Sequence, residues 1–593
     1  MKKIMKIAIC LLAALTLAAC SQQRANKSKQ DNNSGAEDAM QFPVATSFSK
    51  TKKGGSIRVA LETDTPFTGI FSDELADSTT DAALAQFGSE SLFDTDNSYN
   101  ITDSGAATFS LDRQAKQITI NIKKGVKWSD GKQVVAKDVE YAYEVIANKA
   151  TNSSHYTSSL QDVVGLKEYH DGKAKTISGI EMPDGENGRK VVIHFKQMHP
   201  GMLKSGNGYF WESALPYHYL RDVPFSKLRT CIEIRKKPLY FGPYKVQSLE
   251  AGQKAVWTRN EYYWRGTPSL SKITISIISP KSVSTAIKEK TYDIIEVVNS
   301  QWQQIRTTKN YRFVATIPLR YNYLGFKLGK WDEKTNSVKM NKNSKMANKS
   351  LRQAIGYAMN VTQIQRKYTS GLTFRIKSLI PSQFGDYYDD KSKGYPYNPA
   401  KAKKLLDKAG YKLQSGEKYR RDPQGHKLVI HLAAMTGDVS QSKIINNYIK
   451  KWKEIGLNVK LTTGHLLEFN TFYNLLFQDD SQVDMFIAGW TLNNEPSQNG
   501  IYGAGTQYNL ERFATKTNSQ LLEEMDSDAA FNIHYRIKVF KEWQRYMQEQ
   551  AFVIPLTSSY KITAISKQLV NLSYEPAEMN NSHPLWYKIG YKK

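Results

Sequence analysis

The chain has 593 residues, 40% of them hydrophobic and 23% charged, enough apolar material for several cores and too much for a disordered polymer. At roughly 100–200 residues per domain it holds about three to five domains or subdomains, and 36 Gly with 19 Pro exclude a collagen-like or low-complexity chain. Lys and Arg number 82 against 56 Asp and Glu, a net +26; with no Arg-rich stripe carrying base-reading aromatics, that charge favours envelope polyanions over nucleic acid.

Lys2, Lys3 and Lys6 precede an apolar run from Ile7 to Leu17, the pattern of a secretory signal. It is the one run apolar enough to enter a bilayer, so a multi-span transporter is excluded. It closes on Leu17-Ala18-Ala19-Cys20, which resembles the lipobox of bacterial lipoproteins. That resemblance implies cleavage after Ala19, acylation of Cys20 and a lipid-anchored protein on the outer face of the cytoplasmic membrane. Residues 20–53 are then the lipidated Cys and a polar tether too poor in apolar groups to fold. Once Cys10 leaves with the leader and Cys20 is acylated, Cys231 stands alone. It can make no internal disulfide, CxxC pair or Cys-rich metal site, and reads as a small core residue.

The folded body begins with a strand over Gly54–Leu61. Apolar spacing predicts a helix from Thr80 to Phe93. Ala107–Ser110 and Gln117–Ile122 alternate as a hairpin, Gly125–Lys132 is a turn with an Asp-Gly signal, and Val135–Ala147 is a helix with Asp138 near its positive end. Strands follow at Tyr240–Val246, Ile273–Ile278 and Tyr292–Ile295, with a helix over Val283–Lys288. Beyond about 317 come a strand at Tyr321–Phe326 and helices at Ser350–Met359, Asn398–Ala409 and Gln441–Ile455. Strands at Val429–Ala433, Val459–Leu461 and within Ser481–Trp490, a helix over 533–549 and a strand at Val553–Leu556 complete an α/β alternation.

Motifs for covalent chemistry are missing. The turn Gly125–Lys132 has five residues between its glycines and Gln133 where a phosphate loop needs Ser or Thr. There is no HExxH, GxSxG or CxxC, and the ten His are scattered; the reading is no enzyme, no catalytic residue, no metal and no cofactor. The 10 Trp, 34 Tyr and 23 Phe are core residues for the most part, with a cleft lined by amphipathic rings as their functional use.

Five ordered segments carry a resemblance. They are Gly125-Val126-Lys127-Trp128-Ser129-Asp130-Gly131-Lys132 with Val135–Val139; Phe241-Gly242-Pro243-Tyr244 with Arg259–Trp264; Leu351–Asn360; Asn398–Tyr411; and Asp484-Met485-Phe486-Ile487-Ala488-Gly489-Trp490. Together they resemble the solute-binding proteins of ABC importers that take oligopeptides, dipeptides and nickel chelates. The nearest likeness is to the lipid-anchored oligopeptide-binding proteins of Gram-positive lactic-acid bacteria. The resemblance implies a two-lobed periplasmic-binding-protein-like fold with an extra subdomain on the first lobe. The partition is 1–19 signal peptide, 20–53 lipidated Cys and tether, 54–88 first lobe, 89–235 extra subdomain, 236–316 first lobe again, 317–553 second lobe, and 554–593 return to the first lobe.

It further implies a monomer that catches a peptide between closing lobes and delivers it to membrane permease subunits. Peptide contacts fall on Gly489, Trp490 and Thr491, whose main chain pairs with the ligand, on Thr65 and Phe67 in the opening loop, and on Tyr560 beside Ser558-Ser559. Relatives hold the peptide ammonium with an Asp shortly after the Trp. Here that stretch is one residue shorter and carries Asn493, and Ile487 stands where binders of short peptides have Arg. Another ligand of the same fold (a peptide pheromone, an oligosaccharide or a metal chelate) and a basic surface adhesin are the alternatives.

Overall fold

The computed structural model describes residues 40–593 except 251, 438 and 439, so the leader, Cys20 and the tether up to residue 39 lie outside the described residues. Two mixed sheets define two lobes. In the first, Ser56–Glu62 runs parallel to Lys272–Ile278 on one side and Ile294–Val297 on the other. Antiparallel pairing adds Lys254–Arg259 and Tyr244–Glu250 at one end, and Lys561–Ser566 and Tyr311–Thr316 at the other. The second sheet has the order Thr373–Arg375, Val553–Ser559, Arg320–Phe326, Met485–Thr491, Val429–Ala434, Asn458–Leu461. Among the described residues no helix is long and apolar enough to cross a membrane.

A four-stranded antiparallel sheet (Ala107–Asp112, Gln117–Ile122, Lys190–His194, Ile180–Glu181) builds a further core around Trp128 and the helix Ala136–Ala147. Here the Trp-Ser-Asp-Gly turn is structural. Asp138, 1% exposed, accepts the Trp128 indole N–H at 2.8 Å, the Val135 N–H at 3.0 Å and the Tyr217 N–H at 2.9 Å. One carboxylate thereby ties turn, helix start and a distant loop together, while burial raises its pKa against the pull of those donors.

The helix expected over 80–93 is Thr79–Ala85. It stops short because Gly88 packs where a side chain would lie 2.6 Å from Trp257 and 2.7 Å from Tyr240, so the chain turns there to meet the first-lobe sheet. The chain passes between lobes twice, at 317–319 and at Tyr560. The return expected at 554 comes later because Val553–Ser559 is an interior strand of the second sheet, flanked by Arg320–Phe326 and Thr373–Arg375. Its first six residues are all buried, so its composition marks no boundary.

Candidate functional site

The strand Met485–Thr491 ends where the second lobe faces the first. On one edge its whole length pairs with Arg320–Phe326, and Gly489 sits opposite Asn322. On the other edge the pairing with Val429–Ala434 covers Met485, Phe486 and Ile487 only. From Ala488 to Thr491 the strand has a ladder partner on one side alone. An open edge beside a paired one is a template for adding an extended chain.

The other residues expected at the site divide around this edge. Trp490 is half-buried, donates its indole N–H to the Tyr323 hydroxyl at 3.2 Å and meets the Tyr508 ring edge-on at 5.7 Å. Thr491 is exposed opposite Arg320. Thr65 and Phe67 follow the first strand at its crossover end, with Asp81 holding their loop through the Thr68 and Ile70 N–H groups at 2.7 and 2.9 Å. Phe67 lies against Phe71, centroids 6.1 Å apart. Asn493 belongs to the contact between lobes: a Cβ on Gly208 would lie 3.6 Å from its Nδ2. Tyr560 is buried in the crossover, between Phe42 at 5.1 Å and Phe374 at 5.2 Å, with its hydroxyl donating to the Met40 carbonyl. Its side chain is packed into the crossover.

Beside the crossovers lies an open pocket, about 410 Å³ with its adjoining solvent, walled by Ile317, Arg320, Phe374, Ile376 and Ser558 among others. Ser558 fixes one wall by donating to the Arg320 carbonyl at 3.0 Å, and Gln383 donates to the Ile317 carbonyl at 2.7 Å. On the first lobe, acids gather where the first strand ends. Burial, then the neighbouring Glu296 and Asp64, raise the Glu62 pKa. Glu296 is paired with Lys561 at 3.0 Å, and Asp64 accepts from Ser279 at 2.9 Å.

Away from the crossovers the lobes touch. Arg113 of the small sheet pairs with Asp528 at 2.5 Å and lies 4.4 Å over the Phe531 ring. Tyr99 and Phe384 meet at 6.5 Å, and Lys204 sits 5.7 Å over Tyr387. A side chain on Gly201 would strike Glu495 at 2.4 Å. Glu495 and Asp526 share Arg536 beneath this seam, and burial leads the causes that push Asp526 up to about 6. These contacts join the lobes on this side. Sequence reading missed them because each partner is unremarkable alone and hundreds of positions from its mate.

The open strand edge, the paired crossovers and the closing seam define a protein that grips a solute between two lobes. The chain belongs to the bacterial extracellular solute-binding proteins, family 5, whose middle region matches residues 104–511. It is 36% identical over 588 residues to the oligopeptide-binding protein OppA of Lactococcus lactis subsp. lactis, covering 98% of this chain and 96% of that one. It is 24% identical to the oligopeptide-binding protein AppA of Bacillus subtilis, covering 98% of each chain. The structure of lactococcal OppA, complexed with an endogenous peptide in the closed conformation, matches with a TM-score of 0.75 and 37% identity, over 91% of this chain and 100% of that one.

Proposed function

We propose that this protein captures oligopeptides between its lobes and hands them to the permease of an ABC importer, with Cys20 as a lipid anchor outside the cell. The supporting observation is the strand edge Ala488–Thr491, which offers main-chain donors and acceptors to an added strand. Grip on the main chain gives affinity with little regard for side chains. Thr65 and Phe67 face the ligand from the first lobe. The protein acts as a monomer and performs no covalent chemistry. In this partition 89–235 stays the extra subdomain, and the last boundary moves from 554 to Tyr560.

The termini of the peptide are not clamped. No acid follows Trp490 before Glu495, and Glu495 is held by Arg536. The ligand is therefore free to extend. Calorimetry with one octapeptide, its N-acetyl form, a side-chain-scrambled form and a form N-methylated at alternate amides tests the reading. Acetylation and scrambling leave affinity within about threefold, whereas N-methylation removes about 1 kcal/mol per lost main-chain bond. Equal losses from scrambling and N-methylation would overturn main-chain capture, and a large loss on acetylation alone would overturn the free terminus.

A further inference from the structure

The positive charge of the chain is concentrated in one layer of the second lobe. Residues 317–467 carry 29 Lys and Arg against 10 Asp and Glu, whereas 468–559 carry 6 against 12. These segments supply helices to opposite faces of the six-stranded sheet. Successive strand residues point to opposite faces. On one face Tyr323 meets Tyr502 at 6.4 Å and Phe486 meets Phe472 at 6.5 Å, so the helices of the later segment lie there. On the other face a Cβ at Gly356 would lie 3.0 Å from Ile554 Cδ1. This face is covered by Lys349–Tyr357, Val361–Thr369, Pro399–Lys408 and Gln441–Glu454. They form one layer: Trp452 Nε1 donates to the Ile355 carbonyl at 3.0 Å, Gln365 to the Tyr448 hydroxyl at 3.1 Å, and the Asn398 N–H to the Tyr357 carbonyl at 2.8 Å.

The outward side of this layer is cationic. Lys403, Lys404, Lys408, Lys443, Lys450 and Lys453 are exposed, and among the described residues none has a carboxylate within ion-pair distance. The exposed acids of these helices are engaged by other cations: Asp407 by Arg420 at 2.5 Å, and Glu454 by Lys451 at 2.9 Å. A second observation gives the layer a direction. Met40, the first described residue, lies beside Gly371, where a Cβ would be 3.8 Å from Met40 Cγ. Gly371 lies two residues past the end of the helix Val361–Thr369, after its cap Ser370. The first described residue thus packs at the margin of the basic layer, next to the crossover at Tyr560.

We propose that the helical layer of Val361–Thr369, Pro399–Lys408 and Gln441–Glu454 is a docking face for an anionic phospholipid bilayer. Its lysines meet lipid phosphates, and the opposite layer, which lacks such a cationic excess, leaves this face as the one turned to the bilayer. Each lysine within a Debye length of the surface (about 10 Å at 0.1 M salt) strengthens binding roughly fivefold. The inference concerns the outside of the lobe and stands whichever peptide the cleft holds.

The test uses the chain from residue 21 onward, without acyl groups, in co-sedimentation with phosphatidylglycerol and phosphatidylcholine vesicles at about 0.1 M salt. Two variants of equal net charge are compared: K403E/K404E/K450E/K453E on the proposed face, and K124E/K132E/K175E/K227E on exposed positions of the first lobe and its small sheet. The expected result is binding to the anionic vesicles only, lost by more than about tenfold in the first variant and kept within about twofold in the second. Peptide affinity, unchanged in both, shows that each still folds and separates this test from that of the cleft. Equal losses in the two variants, no binding of the parent chain to phosphatidylglycerol, or binding to lipoteichoic acid but not to vesicles would each overturn the proposal.

Discussion

Gly489 lies opposite Asn322 in the second-lobe ladder, so close that a Cβ at Gly489 would sit 2.6 Å from Asn322 Oδ1 and 3.0 Å from the Tyr321 carbonyl. The glycine is needed for that approach and so for the course of the open edge. G489A should therefore cost about 1–3 kcal/mol of stability and weaken peptide binding, because the strand must shift. G489A/N322A removes one of the two obstructing atoms and recovers part of both. Thermal melts and titration calorimetry check this, and a fully stable, fully binding G489A would refute it.

The seam between lobes contains a pair that is easily removed. Arg113 and Asp528 are 44% and 82% exposed in their side chains, so water screens their attraction and the pair contributes only about 0.5 kcal/mol to closure. The Phe531 ring beneath the guanidinium adds a similar amount. R113A should raise the peptide dissociation rate by about threefold to tenfold, with the association rate little changed. Stopped-flow fluorescence reads both, and an unchanged dissociation rate would show that the contact is idle in closure.

Asp138 makes a prediction of the opposite kind. Its three donors belong to the Trp128 turn, the start of the helix Ala136–Ala147 and the Tyr217 loop, none of them in the strand Met485–Thr491. D138A leaves the buried Trp128 indole and two half-buried amides without this partner and should cost about 3 kcal/mol of stability. The peptide dissociation constant of the remaining folded protein should not move. A binding defect without a stability defect would contradict the structural role of that turn.

Glu511 is wholly buried beside Gly325 and Phe486, and burial pushes it up to about 7. In the unfolded chain it titrates near its ordinary value of 4.5. Between those values the native state keeps a proton that the unfolded chain has released. Its contribution to stability is present below pH 4.5 and lost as pH rises through about 7. At about 1.4 kcal/mol per unit this amounts to roughly 3 kcal/mol. E511Q cannot take on that charge, so it should melt higher than the parent at pH 8, with the gap closing by pH 5. A gap independent of pH would reject the assignment.

Much of the fold was legible because the elements that matter have strong periodicity. Gln117–Ile122 alternates, and Gln441–Glu454 carries a clear apolar stripe; both fall within a residue or so of where the pattern placed them. The helix Phe469–Phe477 was not foreseen. Its polar face is only Asn470, Thr471 and Asn474, and Phe469 and Phe477 are exposed beside it, so its nine residues show a weak period to the eye. The strand stretch Gly489–Thr491 was marked out by its likeness to a family. Its open edge was beyond reach, because an absent neighbour depends on where Val429–Ala434 stops pairing. Tyr560 shows the limit most plainly. Being near a crossover in sequence placed it correctly in the chain, but the direction of its ring is set by Phe42 and Phe374.

The arm that begins at Met40 clasps both halves of the molecule. It rests on Gly371 in the second lobe, packs Phe42 against Trp302 at 5.5 Å in the first, and accepts the Ala315 N–H on the Pro43 carbonyl at 2.9 Å just ahead of one crossover. Tension along that arm would reach the joint before it reached either half.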